Sequence, residues 1–144
     1  MSDVGEVHAL TAWDPDADGP LTELLLAGGP FQTAGGTPVN HIAQWNGSQW
    51  SSVGGALAPA CRHLSTWDPD GSGPNLARLL ACSPSVTAGT IAVGGVASYD
   101  GSSWFPFGSG ISTAFDAYVR ALAAWDPDGL GPASAQIVAA GRFS

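Results

Sequence analysis

Apolar residues along the chain come in short runs, separated by clusters of Asp, Asn, Gly, Pro and Ser. Brief runs bounded by turn formers predict strands rather than helices. Residues 7–13 (VHALTAW), 61–67 (CRHLSTW) and 119–125 (VRALAAW) read as a first strand, and 24–29 (LLLAGG), 78–83 (RLLACS) and 136–141 (QIVAAG) as a second. A third follows at 41–45 (HIAQW) and 96–99 (VASY), and a fourth at 49–54 (QWSSVG) and 103–108 (SWFPFG). The links DPDADGP, DPDGSGP and DPDGLGP, and the shorter NGS and DGS, supply the constrained or positive φ that hairpins need. Four antiparallel strands in succession make a meander. Both faces of these strands carry small or apolar side chains, the pattern of sheets covered on both sides.

The elements repeat. WDPD occurs at Trp13, Trp67 and Trp125, and the first two copies stand 54 positions apart. That offset holds without a gap from Val7 to Leu57, so that Trp45 matches Tyr99, Gly47 matches Gly101, Trp50 matches Trp104 and Gly54 matches Gly108. The third copy lies 58 positions beyond the second, which places four extra residues in the stretch STAFDAY and marks a surface loop there. The units are therefore 7–60, 61–118 and 119–144, the last one truncated. At 144 residues they form a single partial domain spanning 1–144.

Composition agrees with an all-β chain: 44% hydrophobic, only 11% charged, 20 Gly, 11 Pro, 6 Trp and no Lys. The net charge of -8 argues against nucleic acid and anionic membranes, which need Lys and Arg to replace their counterions. No apolar run is long enough to cross a bilayer as a helix. The opening MSDVGEVHAL has no basic stretch followed by an apolar one, so no signal peptide is read there.

A strand ending in a Gly pair (Gly28, Gly29), an aromatic closing the third strand (Trp45, Tyr99) and a Trp a few positions on (Trp50, Trp104) resemble the kelch repeat, whose period is about 50 residues. The resemblance implies a β-propeller of four-stranded antiparallel blades, here about two and a half of them. The fuller WDPDGxGP, AGGxF and IAxWNGSxW pattern looks like arrays in bacterial proteins and implies an extracellular or cell-surface setting. Unit two departs from the pattern with Cys82 and Ser83 in place of the Gly pair, and unit three with Ala140 and Gly141. Some kelch-type propellers are copper oxidases, but none of their metal-binding residues can be matched here. The resemblance therefore implies the fold and not the activity.

Seven of the twelve acidic residues lie in equivalent hairpins, which a propeller would place on one rim. In unit one Asp14, Asp16 and Asp18 have the DxDxDG spacing that can wrap Ca²⁺, although the twelfth loop position is Leu25 and not Glu. A plain Asp/Pro/Gly turn is the competing reading. Pairing Trp67 with Leu76 would set Cys61 opposite Cys82, close enough for a disulfide in an oxidising compartment; two buried free thiols are the alternative. Trp13, Trp67 and Trp125 recur at one strand end, and Trp50 and Trp104 at another, which points to packing between units rather than to sugar binding. His8, His41 and His63 fall at different repeat positions and read as surface or edge residues. Arg62 and Arg120 share one strand-one position and would line a central channel or, more plainly, bridge units by hydrogen bonds. The TAGG segment at Thr33–Gly36 reads as loop.

Known propellers close with about four to eight blades, so this chain would need further units of the same array or self-association. The sequence accordingly supports a non-catalytic binding or structural module with a protein or glycan ligand. A Ca²⁺-dependent or carbohydrate-binding lectin-like propeller is the second reading, and a fragment of a kelch-type oxidase or glycosidase the third.

Overall fold

In the computed structural model the described residues are 5–16, 19–55, 57–58, 60–70, 75–83, 87–88, 91–92, 95–108, 118–129 and 133–142. The first unit contributes β1 (Ala9–Trp13), β2 (Leu24–Gly28), β3 (Thr33–Ala34), β4 (Thr37–Pro38), β5 (Ile42–Trp45), β6 (Trp50–Ser52) and β7 (Leu57–Ala58). The second contributes β8 (His63–Trp67), β9 (Arg78–Cys82), β10 (Thr87–Ala88), β11 (Ile91–Ala92), β12 (Val96–Tyr99) and β13 (Trp104–Pro106). β14 (Tyr118–Trp125), which begins one residue before the expected boundary, and β15 (Gln136–Arg142) belong to the third. The chain is all-β, and its two four-stranded sheets, β1-β2-β5-β6 and β8-β9-β12-β13, share one antiparallel meander order.

Over the last five residues of the first strand the register is the same in the three units, and only the third has a bulge, between Val119 and Ala121. Trp13 pairs with Leu24, Trp67 with Arg78 and Trp125 with Gln136. The expected pairing of Trp67 with Leu76 is thus corrected by two residues. The cause is the turn: Asp14 Oδ1 accepts from the Asp16 N–H, and Asp16 Oδ2 from the Leu21 N–H. Asp68, Asp70 and Asn75 repeat this closure, as do Asp126, Asp128 and Ala133. Carboxylates, not ladder bonds, satisfy the loop, so strand pairing resumes only at Leu24, Arg78 and Gln136.

TAGG is a hairpin and not a loop. Thr33 and Ala34 pair with Pro38 and Thr37, and Gly35 and Gly36 take φ of 55° and 81° at the turn. Two successive positive φ values suit the twist of a tight hairpin and favour glycine at both places.

The sheets stack face to face, with β8 against both β1 and β14. Successive residues of β9 alternate between the two junctions so formed. Leu79 and Ala81 join Trp13, Leu26, Ile42 and Val53 of the first unit, whereas Leu80 and Cys82 join Val119 and Leu122 of the third. Leu26, Leu79 and Leu80 are wholly buried, each stabilising the fold by about 1.5–3 kcal/mol through loss of apolar surface from water. The blurred in/out alternation of the sequence has this origin, since β8, β9 and β12 of the middle sheet each feed two cores.

Candidate functional site

The start of each first strand occupies the same position in its unit. His8 N–H donates to the Gly28 carbonyl at 2.8 Å, and Arg62 N–H to the Cys82 carbonyl at 2.9 Å, so both residues are fixed by one extra ladder bond beyond the regular strand. Stacking of the units then brings His8, Arg62 and Arg120 together. With Val7 they line an open cleft of about 510 Å³. His8 Nε2 meets Glu6 Oε2 at 3.1 Å, and the Arg120 guanidinium lies 5.1 Å from the Tyr118 ring centroid while donating to the Tyr118 hydroxyl at 3.2 Å. Among the described residues neither arginine is ion-paired and neither bonds a neighbouring unit. The bridging role expected for Arg62 and Arg120 is replaced by exposure to this shared opening. Two of the four arginines of a strongly acidic chain thus line one cleft, with the Glu6 carboxylate beside it on His8.

Against known families, curated proteins and solved structures the chain finds no match. The cleft and the junctions therefore have to be interpreted on their own chemistry.

The other expected sites resolve differently. Asp14 and Asp16 close their turn as described above, and Asp18 lies outside the described residues. Among the described residues no three His, Cys, Asp or Glu side chains gather as a metal site would require. The recurrence of the same carboxylate bonds in all three units supports the turn reading of these aspartates.

Cys61 and Cys82 are both buried free thiols, not a disulfide. Cys82 stands opposite His63, and although the two sulfurs are close enough to sense each other's charge, they pack in different cores. Cys61 presses on Gly28, where an added Cβ would come within 2.7 Å of the thiol sulfur. At the next junction Cys82 reaches the Val119 carbonyl at 3.6 Å, in the geometry of a weak S–H donor. Gly28 and Cys61 thus make the first junction at the positions where Cys82 and Val119 make the second. Burial pushes the Cys61 thiol far above its ordinary range, with the neighbouring Cys82 adding to the rise, and burial pushes Cys82 up to about 12. Both stay protonated at neutral pH and act as small apolar side chains.

Of the recurring indoles, Trp13 and Trp104 are buried, Trp50 and Trp67 are half-buried, and Trp125 is 53% exposed. Trp13 Nε1 donates to the Ala77 carbonyl at 2.8 Å, and Trp67 Nε1 to the Ala135 carbonyl at 3.0 Å, each across a junction. Trp125 is corrected as a core residue, because no described unit stands beyond it to receive the ring.

His63 is not an edge residue. Its Nε2 lies 2.9 Å from the Leu122 carbonyl and ties the second unit to the third. Sequence comparison of the units could not find this, as the equivalent of His63 is Ala9. The basic cleft did leave a signal, since Arg62 and Arg120 recur at one position, and His8, a third basic residue, stands there in unit one.

Proposed function

We propose that the chain is a non-catalytic binding and structural module of β-propeller type, whose stacked units hold a cleft for a small anionic ligand such as a carboxylate or phosphate. The observation that carries the ligand class is the convergence of Arg62 and Arg120, both free of carboxylate partners among the described residues, on one opening beside His8. Arginine presents a planar fork of donors that suits bidentate recognition of such oxyanions. Support for the blade reading comes from the repeated meander order, the face-to-face stacking and the indole-to-carbonyl bond repeated at both junctions. A small anion fits this charge distribution and a polyanion does not, because the surrounding chain is acidic.

Calorimetric titration with succinate and with inorganic phosphate tests the reading. Binding of either probe should weaken about tenfold in Arg62→Gln and again in Arg120→Gln, and should weaken with salt. Absence of binding by both probes, or equal binding by the wild type and the Arg62→Gln variant, would overturn it.

A further inference from the structure

The two outer faces of the stack are the two halves of the junction that the molecule already forms twice inside itself. On the first unit Val7, Leu10 and Leu25 stand exposed, with Leu10 at 61%. Their equivalents in the second unit, Cys61, Leu64 and Leu79, are buried at the first junction. On the third unit Trp125 and Val138 stand exposed, Val138 at 50%. Their equivalents, Trp67 with Leu80 and Trp13 with Leu26, pack into the second and first junctions respectively. What one end lacks, the other end presents.

We infer that copies of this chain associate head to tail, with the outer face of the third unit of one copy docking on the outer face of the first unit of the next. Both internal junctions specify the arrangement. The third unit presents Trp125, Val138 and Ala140 where the middle unit presents Trp67, Leu80 and Cys82. The first unit receives them with Val7, Leu10 and Leu25 where the second receives its neighbour with Cys61, Leu64 and Leu79. A shallow apolar pocket of about 360 Å³, bordered by Val7, Leu10, Leu25, Phe31 and Trp50, already marks the receiving face. The polar part of the contact follows from the repeat as well. Trp13 and Trp67 donate to the carbonyls of Ala77 and Ala135, and the equivalent carbonyl in the first unit is that of Glu23. Trp125 Nε1 of one copy therefore donates to the Glu23 carbonyl of the next.

A head-to-tail contact of this kind is heterologous, so repetition closes a ring, of two copies or more, or extends a filament. The docked surface on the giving side comes from β14 and β15 alone, with no described counterpart of Val96 or Phe107, which makes this contact smaller than the internal ones. The inference rests on the stacking and not on the ligand of the cleft.

Sedimentation of the full chain in a concentration series reaching about 100 μM is the test, a range suited to contacts of micromolar strength. The wild type should gain mass as concentration rises, to a closed ring of two or more copies or to longer assemblies. Leu10→Glu removes the receiving face and Val138→Glu the giving face, and each variant alone should remain a monomer, its association weakened about 100-fold or more by a charge set in an apolar contact. Both sites are exposed in the single chain, so circular dichroism and the thermal midpoint should stay at wild-type values. Mixing the two variants restores one good contact per pair and should give a species of twice the monomer mass that grows no further. A wild type that stays monomeric throughout, variants that assemble as the wild type does, or a mixture that stays monomeric would each overturn the inference.

Discussion

Leu25 and Leu79 hold the same place in consecutive units, yet Leu25 is 41% exposed and Leu79 wholly buried. The same contrast separates Leu10 from Leu64 and Val7 from Cys61. Local sequence cannot account for it, as the strands match in length, register and apolar character. The difference lies entirely in the neighbour. Among the described residues a middle unit has a sheet on each side and an outer unit has one on a single side, so equivalent residues contribute to stability in one place and to binding capacity in the other.

Replacing Leu79 and Leu25 in turn by Ala gives the sharpest break in this comparison. Leu79→Ala leaves a cavity between two sheets and should cost about 3 kcal/mol, whereas Leu25→Ala should cost less than about 1 kcal/mol. Urea unfolding of dilute protein, below the concentration at which copies associate, measures both. Equal losses would mean that the two faces are not distinguished by packing.

The indoles give the next largest effect. Trp13→Phe removes a buried junction bond of 2.8 Å and should cost roughly 1–2 kcal/mol, while Trp67→Phe, half-buried with a bond of 3.0 Å, should cost about 1 kcal/mol. Trp125→Phe should leave the stability of the dilute chain unchanged, because its ring meets solvent. Thermal unfolding ranks the three. A cost for Trp125 in dilute protein equal to that of Trp67 would erase the distinction between inner and outer units.

Much of this architecture is legible in the repeat itself. The offset between the WDPD copies gives the four meander strands of each unit and the likeness of Trp13 to Trp67, because burial between repeated sheets constrains the same position each time, whereas the hairpin at TAGG reads as loop. What escaped the reading had a different physical basis. Strand-one register at Trp67 differs by two residues from the one the link length predicts, because Asp side chains, rather than tight backbone pairing, close the long link. The same two-residue shift sets Cys82 opposite His63 in place of Cys61, and the two cysteines belong to different junctions. The cleft was half legible, since recurrence named Arg62 and Arg120 but spacing alone could not say whether they face a partner or an opening.

His41 illustrates a signal that was present and had another meaning. It is the one non-glycine with positive φ among the described residues, at 67°, and its equivalent Gly95 has φ of 94°. The backbone at this position is left-handed in both units, and the Gly29 and Ser83 N–H groups donate to the carbonyls of His41 and Gly95 respectively. His41→Gly should relieve strain and raise stability by roughly 0.5–1 kcal/mol, with the greater freedom of glycine in the unfolded chain offsetting part of the gain. Chemical denaturation of dilute protein checks the sign. A destabilised variant would show that the imidazole contributes more than its backbone costs.

The smallest expected effect separates Asp100 from Asn46, which close the same turn in consecutive units. Asn46 Oδ1 accepts from Ser48 N–H, Ser48 Oγ and Gln49 N–H at 2.9–3.0 Å. Asp100 Oδ1 accepts from Ser102 N–H, Ser102 Oγ and Ser103 N–H at 2.8–2.9 Å. The carboxylate differs only in charge, and donation from the Ser103 and then the Ser102 backbone holds it below its ordinary range. A lowered value in the folded chain means that the unfolded chain takes up the proton first as pH falls. The stabilisation is therefore complete above the unfolded value, about 3.9, and is lost as pH falls through the folded one. Asp100 is exposed, so screening by water limits the increment to about a few tenths of a kcal/mol. Asp100→Asn should lose that increment at neutral pH and match the wild type in acid, which parallel denaturation curves at the two pH values resolve. A gap between the variant and the wild type that persists unchanged in acid would mean that the turn discriminates by shape, and the two units would then differ in more than charge at this position.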